Sequence, residues 1–189
     1  MNLEELVVKA RSFRRFAQSK RIQAAALLDL VNLARRTPSA GNRQPLRYVL
    51  VHEESDCARL FKHLRWAAAL KNWSGPAEGE RPAGYVIMVT DTEINKNADC
   101  DAGIAAQTMQ LAATERGLRA CMLGAIDRPK IQAEFKIPKR YAIVLVLALG
   151  VPAETVVLED APSGGDVTYY RDAQDVHHVP KRPLKDIVL

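Results

Sequence analysis

The chain passes from a helical pattern to a strand-like run through twelve residues, Arg36-Thr-Pro-Ser-Ala-Gly-Asn-Arg-Gln-Pro-Leu-Arg47. Small residues in this connection allow a planar ligand to approach the backbone closely. Ser39, Asn42 and Gln44 offer hydroxyl and amide groups that can hydrogen-bond to carbonyl and imide edges. The connection therefore carries more chemistry than a simple turn needs.

Apolar periodicity divides the rest of the chain into helices and strands. It predicts helices over Ile22–Arg36, from an N-cap at Ser55 to about Leu70, over Asp99–Arg116, and from a cap at Asp127 through Phe135. It predicts strands over Tyr48–Val51, Gly84–Thr90, Leu118–Leu123 and Tyr141–Leu149, and a pair formed by Val167–Tyr170 and Val176–Val179. Pro38 and Gly117 supply the stops after the first and third helices. The pattern indicates one α+β domain over residues 1–189, with a central sheet flanked by helices.

The composition is that of an ordinary globular protein, with 48% hydrophobic residues, 26% charged residues and a formal net charge of +5. The charge is spread along the chain, so the sequence has no polybasic arm for nucleic acid. No apolar run approaches the roughly 20 residues that a membrane span needs. Cys57, Cys100 and Cys121 form no CxxC pair, and no signal peptide is visible. We therefore expect reduced cysteines and a cytoplasmic protein.

Motifs for several common chemistries are missing. The sequence has no GxGxxG after a strand, no P-loop and no GxSxG. His52, His63, His177 and His178 have no metal-ligand spacing, so we predict no metal site. The last two are adjacent on a predicted strand and should point to opposite faces. We name no catalytic side chain, and expect a cofactor to carry any chemistry.

A basic cluster, Arg11-Ser-Phe-Arg-Arg15, precedes the first predicted helix. Arg11 and Arg14 are three residues apart, so in a helical turn they would share one face, with the Ser12 hydroxyl nearby. Two guanidinium groups and a hydroxyl suit a phosphomonoester, which carries between one and two negative charges near pH 7. The alternative interpretation is a solvated basic helix end.

Together, the basic cluster up to Phe16 and the segment Pro38–Pro45 before a strand resemble the nitroreductase family of FMN-dependent oxidoreductases. Further similar segments follow in the same order along the chain: Asp101–Gln107, Leu111–Ala113, Gly117–Leu118, Cys121–Ala125, Leu149–Pro152 and Lys181–Leu184. The resemblance covers nearly the whole chain. It implies a nitroreductase-like α+β fold with a central, mostly antiparallel sheet, and a homodimer with FMN at the interface.

The resemblance also implies roles for individual residues. The phosphate and ribityl end of FMN would be held by Arg11, Ser12 and Arg14, with Lys181 and Arg182 completing a cationic cradle. The isoalloxazine ring would be lined from the partner subunit by Pro38, Ser39 and Asn42, supported by Gln44. The turn Leu123-Gly124-Ala125 would present backbone N–H groups near flavin N5 and O4.

The activity that the resemblance implies is a ping-pong reaction. NADH or NADPH reduces the flavin at N5, and a small electron-poor acceptor such as a nitroaromatic or a quinone then takes the electrons. Other flavin chemistries on the same fold remain open, namely flavin destruction, dehalogenation and dehydrogenation. A non-enzymatic basic binding protein is a further alternative.

The sequence departs from the family pattern in two places. Many members have a basic residue where this chain has Ala10; either Arg15 compensates for it, or the phosphate site has one cation fewer. Larger relatives cover the flavin with inserted helices, whereas here Trp66–Arg81 is the only candidate cover. Ordinary packing of Trp66 and Trp73 is the alternative interpretation of that segment.

Overall fold

Four strands of the computed structural model, which describes residues 1–189, form one antiparallel sheet. They are β1 (Leu46–Val51), β2 (Gly84–Asp91), β3 (Arg119–Leu123) and β4 (Tyr141–Gly150). Their order across the sheet is β1–β2–β4–β3. The central strand β2 is buried along its whole length. Its continuous apolar sequence is typical of a strand that is covered on both faces.

Five helices cover the sheet and its ends. They are α1 (Leu3–Lys9), α2 (Ala24–Ala34), α3 (Glu54–Phe61), α4 (Asp99–Glu115) and α5 (Arg128–Glu134). Because side chains alternate along β2, Val86 and Met88 pack with α2 and α4 in one apolar cluster. Tyr85 and Ile87 pack with α3 and α5 in a second cluster on the opposite face. The main sheet is therefore the middle layer of three.

The C-terminal region forms a second sheet. Its strands are β5 (Val156–Asp160), β6 (Tyr170–Arg171) and β7 (His177–Lys181). Strand β7 lies in the middle, parallel to β5 and antiparallel to β6. Before it enters this sheet, the chain pairs with the end of the basic cluster and the residue that follows it. Phe16 bridges to Pro152, and the N–H of Ala153 donates to the carbonyl of Arg15.

The predicted α+β class and the central antiparallel sheet are confirmed, and the helices predicted near α2, α4 and α5 end within about two residues of the observed bounds. The helix predicted from Ser55 to Leu70 is wrong in length, since α3 ends at Phe61 and its N-cap is Glu53. The backbone beyond α3 pairs elsewhere instead, with Leu64 bridged to Ile126. The prediction was too long because the apolar periodicity of the sequence continues beyond Phe61, where the backbone forms this non-local pairing instead.

The C-terminal strands and the N-terminal segment also differ from the prediction. Strand β7 forms, but its antiparallel partner is only the two-residue β6, and β5 and α1 were not predicted. The basic cluster is not helical, because α1 ends at Lys9 and Ser12 forms a parallel bridge to Ala120 of β3. Arg11 and Arg14 therefore do not share a helix face.

The end of β4 has no room for a side chain, which yields a test of the packing. A Cβ atom built on Gly150 would lie 2.7 Å from Cβ of Phe16, whose side chain is fully buried. We expect Gly150→Ala to lower the free energy of unfolding by about 1–3 kcal/mol, because Phe16 must shift in a packed core. Urea denaturation curves of the two proteins, recorded at the same protein concentration, measure this loss.

Gly84→Ala is the matched control on the same sheet. A Cβ atom there would meet Ile22 and the Val51 carbonyl at 3.5 Å, which is ordinary van der Waals contact. This variant should lose less stability than Gly150→Ala. Equal urea midpoints for Gly150→Ala and the unsubstituted protein would show that Phe16 does not constrain the position.

Candidate functional site

Most of the basic residues singled out near the two ends of the sequence meet at one pocket. We call it the basic pocket; its volume is about 380 Å³. It is lined by Ala10, Arg11, Ser12, Arg14, Gln107, Gln110, Met122, Tyr169, His177, Val179 and Lys181. The lining includes three permanent cations and no carboxylate. A pocket with this charge favours an anionic ligand.

Arg14 is held in a fixed orientation at the pocket wall. Its Nη1 lies 2.9 Å from Nε2 of His177 and donates to the Ser12 carbonyl at 3.3 Å. Its guanidinium carbon lies 4.6 Å from the centre of the Tyr169 ring, in a cation–π contact. One edge and one face of the guanidinium are thus occupied by the protein.

Arg11 is half-buried and only partly satisfied. Its Nη2 donates to the Val7 carbonyl, whereas its Nε is buried without a hydrogen-bond partner. Burial lowers the pKa of the Arg11 guanidinium. The backbone at this position is fixed from α4, because the Gln110 amide donates to the Arg11 carbonyl at 2.9 Å. A ligand with an acceptor atom in the pocket could satisfy this donor.

Arg15 does not line the basic pocket, so it supplies no cation there in place of the one missing at Ala10, and the alternative of one cation fewer fits this chain. The Arg15 side chain turns away from the basic pocket and pairs with Glu80 at 3.3 Å and with Asp175. The opposite directions of Arg14 and Arg15 follow from the extended backbone, which alternates side chains between two sides.

The backbone of these two arginines is anchored by a buried carboxylate. Glu154 accepts hydrogen bonds from the N–H groups of Arg14 and Arg15. Its side chain is 2% exposed and pairs with Arg171 at 2.6 Å. This carboxylate therefore lies behind the pocket wall and does not line the pocket itself.

The chain leaves the basic pocket through β3 and reaches an open turn. Met122 lines the pocket, and Gly124 follows two residues later, roughly 7 Å along an extended backbone. The N–H groups of Gly124 and Ala125 make no hydrogen bond within the chain. Both residues are exposed, and a Cβ atom on Gly124 would meet nothing within 4 Å. Leu123 presents only its backbone at this turn, because its side chain is buried in the second apolar cluster.

The connection between α2 and β1 forms a separate cleft of about 380 Å³, which we call the loop cleft. Pro38, Ser39 and Gln44 line it. The buried carboxylate of Asp101, in the first turn of α4, accepts from the Ser39 hydroxyl and from the Ala40 N–H at 3.1 Å.

The loop that borders this cleft has an unusual backbone. Gly41, Asn42 and Gln44 have φ angles of 57°, 51° and 50°. Positive φ is uncommon outside glycine, and strained residues of this kind persist only where the surrounding structure holds them. Here the Ser39 hydroxyl accepts from the Gln44 N–H at 2.9 Å, while the Gln44 amide donates to the Asn42 side chain at 3.0 Å.

The structure thus separates the predicted site residues into groups. Arg11, Ser12, Arg14 and Lys181 meet in the basic pocket, and Pro38, Ser39 and Gln44 meet in the loop cleft. Asn42 is exposed on the loop, and Arg182 is exposed one residue beyond Lys181; neither lines the basic pocket or the loop cleft. No residue lines both pockets, so one chain does not bring the two groups together.

The segment Trp66–Arg81 lines neither the basic pocket nor the loop cleft. Trp66 is buried in the second apolar cluster, and Trp73 lies against the guanidinium groups of Arg15 and Arg171. The segment meets the basic pocket only indirectly, since the Ala69 N–H donates to the Tyr169 hydroxyl at 3.3 Å. Within one chain, the two tryptophans therefore have the packing role that was the alternative interpretation.

Seven of the eleven residues that line the basic pocket were not singled out as site residues from the sequence: Ala10, Gln107, Gln110, Met122, Tyr169, His177 and Val179. The sequence held one signal for His177, because it predicted that His177 and His178 point to opposite faces of a strand. The structure confirms this alternation. His177 is fully buried at the pocket, whereas His178 pairs with Glu159 and Asp172 at 3.0 Å each. Burial, with the nearby cations Arg14 and Arg171, lowers the pKa of His177 to about 4. Hydrogen bonds to the two carboxylates raise the pKa of His178.

Three or more histidine, cysteine or acidic side chains come together nowhere in an arrangement that could hold a metal ion. The helices are all too short or too polar to cross a membrane.

Known proteins with similar sequences or structures agree on one family. Residues 7–151 match the model of the nitroreductase family. The inferred NAD(P)H nitroreductase YodC of Bacillus subtilis strain 168 is 23% identical over 175 aligned residues, covering 76% of this chain and 87% of YodC. A nitroreductase family protein of Streptococcus pneumoniae TIGR4 superposes with a TM-score of 0.71 at 18% identity, covering 100% of this chain and 99% of that chain.

A protein of Exiguobacterium sibiricum 255-15, solved in complex with FMN, superposes with a TM-score of 0.68 at 17% identity, covering 82% of this chain and 90% of that chain. At such identities the structural likeness establishes the fold. The family match spans more than half of the chain and includes the basic cluster, the loop of the loop cleft and the turn at Gly124. This protein therefore belongs to the nitroreductase family.

Proposed function

We propose that this chain binds FMN at a homodimer interface and passes electrons from NADH or NADPH to a small electron-poor acceptor, such as a nitroaromatic or a quinone. One observation carries the proposal: a pocket with three cations and no carboxylate lies next to a turn with two free N–H groups. The FMN complex of the Exiguobacterium protein and the inferred activity of YodC support it. We propose that residues 1–189 act as one FMN-binding domain.

The basic pocket fits a phosphate monoester. Arg11, Arg14 and Lys181 would neutralise its charge, and the Ser12 hydroxyl would donate to a phosphate oxygen. The buried Nε of Arg11 lacks an acceptor, and a phosphate oxygen would supply one. Arg182 follows Lys181 directly and would add a cation at the rim of the pocket.

The turn after β3 fits the edge of a flavin ring. The N–H groups of Gly124 and Ala125 would donate to ring acceptors and stabilise negative charge that develops there. Open space beside Gly124 leaves room for a planar group. The flavin supplies reversible two-electron chemistry that no side chain of the pocket offers.

The loop cleft supports a homodimer. In one chain it is separate from the basic pocket, so Pro38, Ser39, Asn42 and Gln44 would reach the flavin ring of a second copy. Each of two equivalent sites would then combine the basic pocket of one subunit with the loop of the other. The ties from Asp101 to Ser39 and Ala40 would hold that wall in place.

The electron donor and the acceptor would occupy the open side of the ring in turn, which gives a ping-pong reaction. Asp127 is the acidic residue that follows the turn most closely, but it caps α5 and pairs with Lys130 at 3.1 Å. Hydrogen bonds to Lys130 lower the pKa of Asp127, which keeps the carboxylate ionised near neutral pH. We therefore propose that protons reach the acceptor from solvent rather than from this side chain.

Titration of FMN into the flavin-free protein tests cofactor binding. We expect one FMN to bind to each chain with micromolar or tighter affinity. The quenching of flavin fluorescence measures this binding. Arg11→Ala and Arg14→Ala should each weaken binding about 10- to 100-fold, because a hydrogen bond to a charged group contributes about 1.5–3 kcal/mol. The loss should be small for riboflavin, which lacks the phosphate.

The control is Arg116→Ala, which removes the same charge from an exposed position at the end of α4. Its affinity for FMN should match that of the unsubstituted protein. If all three variants bind FMN equally, the basic cluster is only solvated surface. A protein that FMN does not titrate at all would refute the proposed function.

Mixed dimers test whether two subunits build each site. Arg14→Ala and Asn42→Gly chains should each give an impaired homodimer; glycine tolerates the positive φ at position 42. A mixed dimer of the two should regain one intact site, and thus about half of the normal NAD(P)H-dependent reduction of a nitroaromatic. Light scattering should give twice the chain mass for every dimer.

The matched control carries both substitutions on one chain and pairs it with an unsubstituted chain. Each site of that dimer then has one altered residue, so we expect it to be less active than the complementing pair. A reversed order, with the doubly substituted pair more active than the complementing pair, would mean that Arg14 and Asn42 of the same chain serve the same site, contrary to the shared-site proposal.

A further inference from the structure

We propose that His177 positions Arg14 in the basic pocket, and that its neutral ring thereby sets the affinity of this pocket for a phosphate monoester. The contact between His177 and Arg14 does not depend on the proposed function; only the choice of FMN as the natural ligand rests on it. His177 lies at the start of β7, in the C-terminal sheet. It is thus part of a different sheet from the strand that leads to the open turn.

The contact between the two side chains fixes the protonation of the histidine. Nε2 of His177 lies 2.9 Å from Nη1 of Arg14. A guanidinium has only donors, so Nε2 must be unprotonated and accept the hydrogen bond. The ring proton then lies on Nδ1, which is buried and has no partner in the chain.

Burial and the neighbouring cations oppose a positive charge on the His177 ring. Arg14 approaches from the basic cluster and Arg171 from β6, while His178 is the neighbour on β7. Tyr169 packs against the ring with the centroids 5.3 Å apart and brings no charge. The nearby carboxylate of Glu154 is already paired with Arg171. Burial among these groups lowers the pKa of His177 to about 4, so the ring accepts from Arg14 throughout the neutral range.

The result is a guanidinium with a defined free edge. Tyr169 covers one face of Arg14, and His177 and the Ser12 carbonyl occupy Nη1. No hydrogen bond within the chain uses Nη2 or Nε of Arg14. A planar fork that is fixed in this way can present parallel donors to a phosphate at a low cost in side-chain entropy. Without the histidine acceptor, the side chain is free to rotate.

Two substitutions separate positioning from simple filling of space. His177→Gln places an amide oxygen near the position of Nε2 and should keep FMN affinity within about threefold. His177→Asn places its amide nearer Nδ1, out of reach of Arg14, and should weaken FMN binding about tenfold or more. Riboflavin binding should be similar in both variants, because riboflavin has no phosphate.

His178→Asn is the matched control, on the same strand but on the opposite face, where it pairs with Glu159 and Asp172. It should leave the affinity for FMN unchanged. If His177→Asn binds FMN as tightly as His177→Gln, the positioning role is refuted. An equal loss of FMN and riboflavin affinity in His177→Asn would show a general structural defect and would also refute it.

Nitrogen NMR of the histidine rings supplies a readout that does not depend on a flavin. His177 should have its proton on Nδ1 and should stay neutral down to about pH 4. Arg14→Ala should raise the pKa of His177, because a neighbouring cation is removed. An Nε2-protonated ring, or a pKa near 6.5 in the unsubstituted protein, would overturn the inference.

Inorganic phosphate distinguishes failure of this inference from failure of the proposed function. In a protein that binds no FMN, phosphorus NMR should still detect phosphate binding that His177→Asn weakens. That result would keep the inference and reject FMN as the ligand. Normal FMN binding that is unaffected by His177→Asn would keep the proposed function and reject the inference.

Discussion

The buried carboxylate of Glu154 joins parts of the chain on which the basic pocket depends. It accepts the backbone N–H groups of Arg14 and Arg15 from the N-terminal segment and pairs with Arg171 from the C-terminal sheet. A buried carboxylate is costly unless it is paired and hydrogen-bonded, and here both of its oxygens are used. The extended backbone that it holds sends Arg14 into the pocket and Arg15 away from it. This interaction, with the bridges of Ser12 and Phe16 on either side, fixes the backbone that directs Arg14 to the pocket.

Helix α4 anchors the loop cleft as well as the basic pocket of the same chain. Asp101 in its first turn fixes the loop at Ser39, and Gln110, roughly 14 Å further along the helix axis, fixes the carbonyl of Arg11. One helix therefore supports both the loop cleft and the basic pocket of a chain. The strained loop backbone at Asn42 and Gln44 is held close to the buried Asp101 of this helix, which accepts a hydrogen bond from Ser39.

Much of the fold follows from local sequence patterns. Helix α4 and strands β2 and β4 were predicted well because their apolar patterns are long and their ends carry clear signals, such as Gly117. The prediction failed where a distant partner decides the conformation. The segment after Phe61 pairs with the turn beyond β3, and Ser12 pairs with Ala120. No local propensity reports such pairings, since the partners are about 60 and 100 residues away.

By itself, the sequence determined the chemical character of the site: the basic cluster, the small and polar residues of the Pro38–Pro45 connection, and the glycine of the turn after β3. These are residue types, and a ligand's charge and shape follow from types. Only the tertiary structure decided which members act together. It excluded Arg15 from the pocket, brought Tyr169 and His177 to Arg14, and separated the loop cleft from the basic pocket within one chain. The physical reason is that these contacts join residues that lie far apart in the sequence, and their geometry is fixed by packing and by the hydrogen bonds of buried groups.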